Sequence, residues 1–202
     1  SKSNRSFILE LQSEDQKRKQ ARSQAEHHYG KACRLFQQLE HPCELTRVQL
    51  ERVALCEYQL GGQTTAGSKV RTLSTALGYM AECREAMHIV YKELGPDEED
   101  TTTDGENTTS NDLSKNQTVV SSLVPREESE KLLNILESRL QHLLHTLIKT
   151  AASGKASRHL PSSQLDQYKK VYASCLRGMA ESSAGLMRRV QNMADTLALL
   201  PP

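Results

Sequence analysis

Two pairs of side chains have the spacing of helical metal ligands. Glu85 and His88 stand three apart, as do His142 and His145, so each pair would share one helix face. A zinc site needs three or four convergent ligands, and a di-iron bundle needs a second Glu-x-x-His, which the chain lacks. The adjacent His27 and His28 supply no third ligand, and no metal or other cofactor is expected. The cysteines are Cys33, Cys43, Cys56, Cys83 and Cys175, with no C-x-x-C among them. They fall beside Leu, Ala or Met, which suits reduced thiols packed as small hydrophobes in a reducing compartment. No Ser stands in a G-x-S-x-G, no Cys in a Cys-His context, and Gly61-Gly62 lacks the Gly-Lys-Ser/Thr of a phosphate loop. No catalytic residue emerges, and an enzyme is not expected.

Charge is the remaining chemical hint. Lys17, Arg18, Lys19 and Arg22 form a basic cluster. Such a cluster can be a nuclear-import patch, a stripe that contacts nucleic-acid phosphates, or a solvated helix face. Glu14 and Asp15 precede Arg18 and Lys19 by four residues and can pair with them, which favours the solvated face. Overall the 202 residues carry 26 Lys+Arg against 25 Asp+Glu, with 4% aromatics and no Trp. So few rings argue against a nucleotide pocket or a single-strand stacking platform. No apolar run approaches the ~20 residues of a membrane span, and no signal peptide is visible. With Ser1 at one end and Pro201-Pro202 at the other, the chain reads as part of a longer parent.

The elements that must position these residues are helical. Ser13-x-x-Gln16 has the form of a capping box, with Glu14 and Asp15 in the first turn, and predicts a helix from there to about Glu40. Pro42 suits the first turn of a second helix that stops at Gly61-Gly62. Ser68 is placed to cap a third, which Leu94-Gly95-Pro96 ends. Pro125, Glu127 and Glu128 open a fourth that closes near Gly154, and Ser163 with Asp166 opens a fifth reaching about Leu200. No segment alternates with the period of a strand. The expectation is an all-α, five-helix array.

Between Gly95 and Pro125 the composition turns to Thr, Ser, Asn and Asp, with seven acids against Lys115 alone. Segment 95–125 is therefore expected to be a disordered acidic insert with a net charge of −6, leaving +7 on the rest. Thr101-x-x-Asp104 and Thr103-x-x-Glu106 match acid-directed phosphorylation patterns that chance also produces; sequons at Asn107 and Asn116 mean nothing without secretion. The insert separates a three-helix unit, 13–94, from a two-helix part, 126–200, with 1–12 left as a remnant of a preceding segment. Leu133, Leu136, Leu140, Leu143 and Leu147 form one apolar seam. Leu165, Tyr168, Tyr172, Cys175, Met179, Leu186, Val190, Met193 and Leu197 form another, so the two-helix part is expected to fold back as a long antiparallel hairpin. Ser182-Ser183-Ala184-Gly185 is a candidate kink in its second arm.

A weak internal repeat relates the first and third helices. Ala25, Tyr29, Ala32, Leu35, Phe36 and Leu39 are followed 51 residues later by Ala76, Met80, Cys83, Ala86, Met87 and Val90. Small-x3-large-x2-small spacing resembles the second helix of a tetratricopeptide repeat, although that repeat is 34 residues long and its W-x2-L-G-x2-Y half is absent. Such arrays present concave surfaces to peptides and helices.

The stretch HYGKACRLFQQLEHPCELTRVQLERVALCEYQ, His28 to Gln59, resembles the C-terminal region of the erythroid differentiation-related factor 1 family. Pro42-Cys43-Glu44-Leu45 and Arg47-Val48-Gln49-Leu50-Glu51-Arg52-Val53-Ala54 carry the likeness most specifically, and it continues through Lys69 to Ser74 and Leu132 to Leu140. The resemblance implies tetratricopeptide repeats, a nuclear parent protein, and regulation of erythroid transcription, globin genes included. It supplies no catalytic or ligand residues. Together these readings predict a protein-interaction module working through transcription-regulatory partners, with direct nucleic-acid contact through the basic cluster as the alternative.

Overall fold

One helix holds the structure together because three others pack on it. The computed structural model describes residues 2–94, 125–153, 159–180 and 185–201, with the side chains of 2–7, 179 and 180 also outside the description. These residues form α1 (Lys2–Gln38), α2 (Pro42–Leu60), α3 (Ala66–Leu94), α4 (Arg126–Ala152), α5 (Ser162–Ala180) and α6 (Leu186–Ala198). Among the described residues there is no strand, as the period of the sequence requires. The central helix is α3, which packs against α2, α4 and α6. Val70, Leu73, Ala76, Leu77, Met80, Cys83, Ala86, Met87 and Val90 are all buried on it. The small residues Ala76, Cys83 and Ala86 let neighbouring helices approach, and Met80 fills the space between them.

The leucine seam of α4 is buried throughout from Leu132 to Leu147 and faces α3 and α5. Residues from both sides of segment 95–124 therefore enter one continuous hydrophobic cluster. Three arginines tie α4 to its other neighbours at the rims of the core. Arg139 donates to Glu57 at 2.6 Å and Arg47 pairs with Glu128, joining α4 to α2. Arg189 of α6 donates to Glu137 at 2.7 Å and to Asn134 at 2.6 Å on α4.

Several helix limits differ from the sequence expectation. The first helix begins at Lys2 instead of Ser13, since nothing in residues 2–12 breaks a helix and a capping box acts only where the preceding backbone leaves it. The third is capped by Thr65, not Ser68: Thr65 Oγ1 accepts the Ser68 amide at 3.2 Å, which puts Ser68 inside the first turn. The expected fifth helix is two helices, α5 and α6, and the chain contains six in the described residues instead of five. Gly185, with ψ 158, is extended and stands immediately before α6. The Ser182-Ser183-Ala184-Gly185 stretch singled out as a kink falls between the two helices, and 181–184 lie outside the described residues. Consequently only α4 and α5 pair as a hairpin in the expected manner. After the break α6 turns onto α3, where Leu186, Val190, Met193, Ala194 and Leu197 are buried. The acidic insert, with its phosphorylation patterns and sequons, lies outside the described residues apart from Pro125.

Helix α1 ends without a glycine. Glu40 takes φ 54, the left-handed conformation, so that His41 N–H reaches Phe36 O at 2.9 Å. Two opposite glycine substitutions should follow from these backbones. Glu40→Gly is expected to stabilise the protein by about 0.5–1 kcal/mol by removing the left-handed penalty. Gly78→Ala, in the middle of α3 with open space where a Cβ would go, should gain a similar ~0.5–1 kcal/mol. By contrast Leu140→Ala, fully buried on α4, should cost ~2–5 kcal/mol. Urea unfolding midpoints at constant slope would check all three, and a destabilised Gly78→Ala would contradict the open environment.

Candidate functional site

Helices α1, α2 and α3 are tied together by one polar network. Arg52 of α2 is 15% exposed, and its Nε donates to Glu26 of α1 at 3.3 Å. Its NH1 donates to Gln49 Oε1 at 3.2 Å and lies 3.5 Å from Glu82 of α3. Tyr79 of α3 donates its hydroxyl to the same Glu26 oxygen at 3.1 Å and lays its ring under the guanidinium, 3.7 Å from the ring centre. Burial opposes the charge on Arg52, but Tyr79, Glu26 and Glu82 outweigh it and hold the guanidinium above its ordinary pKa. Burial likewise pushes the Tyr79 hydroxyl up. The network is structural in character, with every charge met by an opposite one.

Beside it opens a groove of about 630 Å³, with walls from α1 and α3 and a floor from α2. Gly30, Cys33 and Arg34 on one wall are matched by Ala81, Arg84 and Glu85 on the other, each pair 51 residues apart. The internal repeat thus puts the same helical positions on the same surface. Among the described residues neither Arg34 nor Arg84 has an ion-pair partner. These two guanidiniums are free to meet an incoming carboxylate or carbonyl. The repeat differs in depth between its copies: Ala86 and Val90 are buried, while their counterparts Leu35 and Leu39 are more than half exposed.

The basic cluster divides in two. Lys17 pairs with Glu14 at 3.1 Å and Lys19 with Asp15 at 2.7 Å, all four strongly exposed. The Asp15 carboxyl is held below its ordinary pKa by the Lys19 hydrogen bond and charge, with smaller help from Arg18 and Arg22. Arg18 and Arg22 instead face a cleft of about 750 Å³ between α1 and the C-terminal end of α2, where Glu57, Tyr58 and Gly61-Gly62 line the other side. The last carbonyls of α2 favour cations at that place. The structure therefore separates Lys17 and Lys19 from Arg18 and Arg22.

The metal-spaced pairs stay isolated. Among the described residues no three of His, Cys, Asp and Glu come together in a metal-binding group. His142 and His145 share a shallow surface with Tyr172, whose ring centre is 6.1 Å from that of His145. Glu85 lines the α1–α3 groove. The five thiols are free, four of them buried and Cys175 half-buried. Burial raises every one of them: Cys56 and Cys175 are pushed up to about 11, and Cys33, Cys43 and Cys83 also rise. Thiols so far from ionising are packing groups and poor nucleophiles.

The groove lies on an all-helical array with repeat-related walls, and comparison with known proteins gives the family. The family of erythroid differentiation-related factor 1-like tetratricopeptide repeats matches residues 4–201. The chain belongs to this erythroid differentiation-related factor 1-like family. It is 40% identical over 178 residues to erythroid differentiation-related factor 1 of Mus musculus, an alignment spanning 86% of this chain and 14% of that relative. With the protein of the same name from Homo sapiens it shares 38% identity over 187 residues, 91% of this chain and 14% of the relative. The Pongo abelii protein is 38% identical over the same length. The chain thus spans about a seventh of these longer relatives. No solved structure matches. In this family a tetratricopeptide unit is a helical protein-interaction fold, and no helix among the described residues is long and apolar enough to cross a membrane. Arg34, Arg52, Arg84 and Tyr58 were not singled out from the sequence. Applying the 51-residue offset to positions 30, 33 and 34 is the signal that would have found the groove.

Two outcomes are expected for this site. Arg52→Met should destabilise the protein by about 2–3 kcal/mol, less than the ~3–5 of a fully buried pair because Glu82 is half exposed. Adding Glu26→Gln should recover part of that loss in a double-mutant cycle, and strict additivity would contradict the network. The raised thiols also set a pH dependence. Above the ordinary Cys pKa of 9.0 the unfolded chain loses its thiol protons first, so native stability falls as pH rises from about 9 towards 11. Urea unfolding at stepped alkaline pH measures it, and five Cys→Ala or Ser replacements should flatten that part of the curve.

Proposed function

We propose that the chain is a non-enzymatic protein-interaction unit of a nuclear regulator of transcription. The groove between α1 and α3 carries this reading: repeat-related positions from two helices converge on an open polar surface with two unpaired guanidiniums. Its family membership supports a binding role, and the relatives' name, erythroid differentiation-related factor 1, supports a place in erythroid differentiation. In this reading segment 13–94 presents the binding surface and segment 126–200 braces α3 from behind. Its partners are transcription-regulatory proteins.

Direct nucleic-acid binding through Lys17, Arg18, Lys19 and Arg22 is the competing reading. Lys17 and Lys19 already hold Glu14 and Asp15, which leaves only Arg18 and Arg22 to meet a phosphate backbone. The test has two arms. A photo-crosslinking residue at Gln37, in the groove of the parent protein in erythroid nuclei, should capture transcription-regulatory proteins, and Arg34→Glu with Arg84→Glu should abolish capture. Anisotropy with labelled duplex DNA should show nothing tighter than the non-specific ~10⁻⁴–10⁻⁶ M. Tight DNA binding lost on changing all four basic residues to Ala would replace this reading with the nucleic-acid one.

A further inference from the structure

The first helix is about twice as long as the helix it packs on, 37 residues against 19. Its buried and half-buried stripe, Arg22, Ala25, Tyr29, Ala32, Cys33 and Phe36, runs down α2 and stops. Continued towards the N-terminus at helical spacing, the same stripe comprises Arg18, Asp15, Leu11 and Ile8. There it overhangs the end of α2: every side chain from Ile8 to Ala21 is exposed, and Ile8 and Leu11 are 53% and 55% exposed. The overhang and the end of α2 enclose the cleft in which Tyr58 is 78% exposed.

This shelf is apolar at its outer end and basic at its inner end. Of its charged groups, Asp15 is taken by Lys19 and Glu57 by Arg139. Arg18 and Arg22 form no ion pair among the described residues, so the uncommitted charge is positive. A single helix of that length standing off its support is marginal in water and gains stability from any helix laid along it.

We propose that the shelf formed by the α1 overhang and the end of α2 docks an acidic amphipathic helix of a protein partner. Ile8 and Leu11 meet its apolar stripe, Arg18 and Arg22 its carboxylates, and Tyr58 flanks it. Charge complementarity selects the acidic partner, and the two aliphatic side chains in the same row select a helix over a nucleic-acid backbone. The proposal deepens the protein-interaction reading above and rests on it.

The test uses the whole chain and a designed peptide of about 15 residues, helix-forming, with Leu at i, i+3 and i+7 and Glu at the flanking positions. Charge-inverted and scrambled versions and a duplex DNA serve as comparisons. The acidic peptide should bind, and hydrogen exchange at residues 8–22 should slow in the complex. Arg18→Glu with Arg22→Glu should weaken binding at least about tenfold, and Ile8→Asp with Leu11→Asp should do the same. Lys17→Ala with Lys19→Ala should change it less than about twofold. Thermal melts of the variants should stay close to that of the unmodified chain, since Ile8, Leu11, Lys17, Arg18 and Lys19 are exposed and Arg22 is only half-buried.

Absence of peptide binding overturns the proposal. So does an equal loss from the Lys pair, which would mean diffuse charge, and so does DNA binding that outcompetes the peptide. Sedimentation that shows a dimer broken by Ile8→Asp with Leu11→Asp would make a second copy the occupant and also overturn it. If the shelf fails while the crosslink at Gln37 still captures partners, the protein-interaction reading stands and only the shelf is lost. If both fail, that reading goes too.

Discussion

Everything in this structure depends on covering α3. A helix that buries Leu73, Ala76, Leu77, Met80 and Cys83 needs neighbours on more than one side, and it obtains them from α2, α4 and α6. Two of those neighbours come from beyond segment 95–124. The long α4 brings a continuous leucine seam, and α6 covers a further face. The part-buried rim pairs, Arg139 with Glu57 and Arg189 with Glu137, set how these helices lie; leucine contacts supply most of the attraction.

The outer helix α1 follows a different rule. It packs chiefly on α2, and its polar ties run inward to Arg52 of α2 and Tyr79 of α3. A guanidinium sandwiched by Tyr79 and two glutamates is a directional joint: it holds three helices at one mutual rotation, which apolar packing alone leaves looser. That joint keeps the repeat-equivalent positions of α1 and α3 on a common surface. Binding surface and polar hub are neighbours for a physical reason.

Much of this could be read from the residues. Pro42 and Gly61 marked the limits of α2 correctly because proline and glycine act locally, whereas the expected stop at Leu94-Gly95-Pro96 runs into residues outside the description. The leucines of α4 announced a seam. Other features were hidden. Ser13 has the chemistry of a cap but sits inside a helix, since capping depends on the conformation before it. The stripes of α5 and α6 read as one helix because both are apolar at the same spacing, and only the position of α3 shows that the second belongs elsewhere. Arg52 gave no signal, because its partners lie 26 and 30 residues away and a lone arginine is indistinguishable from a surface one. Of the basic cluster, composition could show the charge; separating paired lysines from unpaired arginines needed the α2 end in place.

The position of α6 has a consequence for how the chain comes into being. The face of α3 it covers, within residues 66–94, is synthesised about a hundred residues before Leu186–Ala198 leaves the ribosome. Until then the most apolar helix of the molecule has an open side, and any chaperone that binds nascent chains has a defined window and a defined target. The same separation makes this unit fold less locally than a stack of adjacent repeats, where each helix finds its neighbour at once. Its final closing event joins distant parts of the chain, so an interrupted message leaves α2, α3 and α4 assembled around a bare apolar stripe, a species that quality control can recognise by that stripe alone.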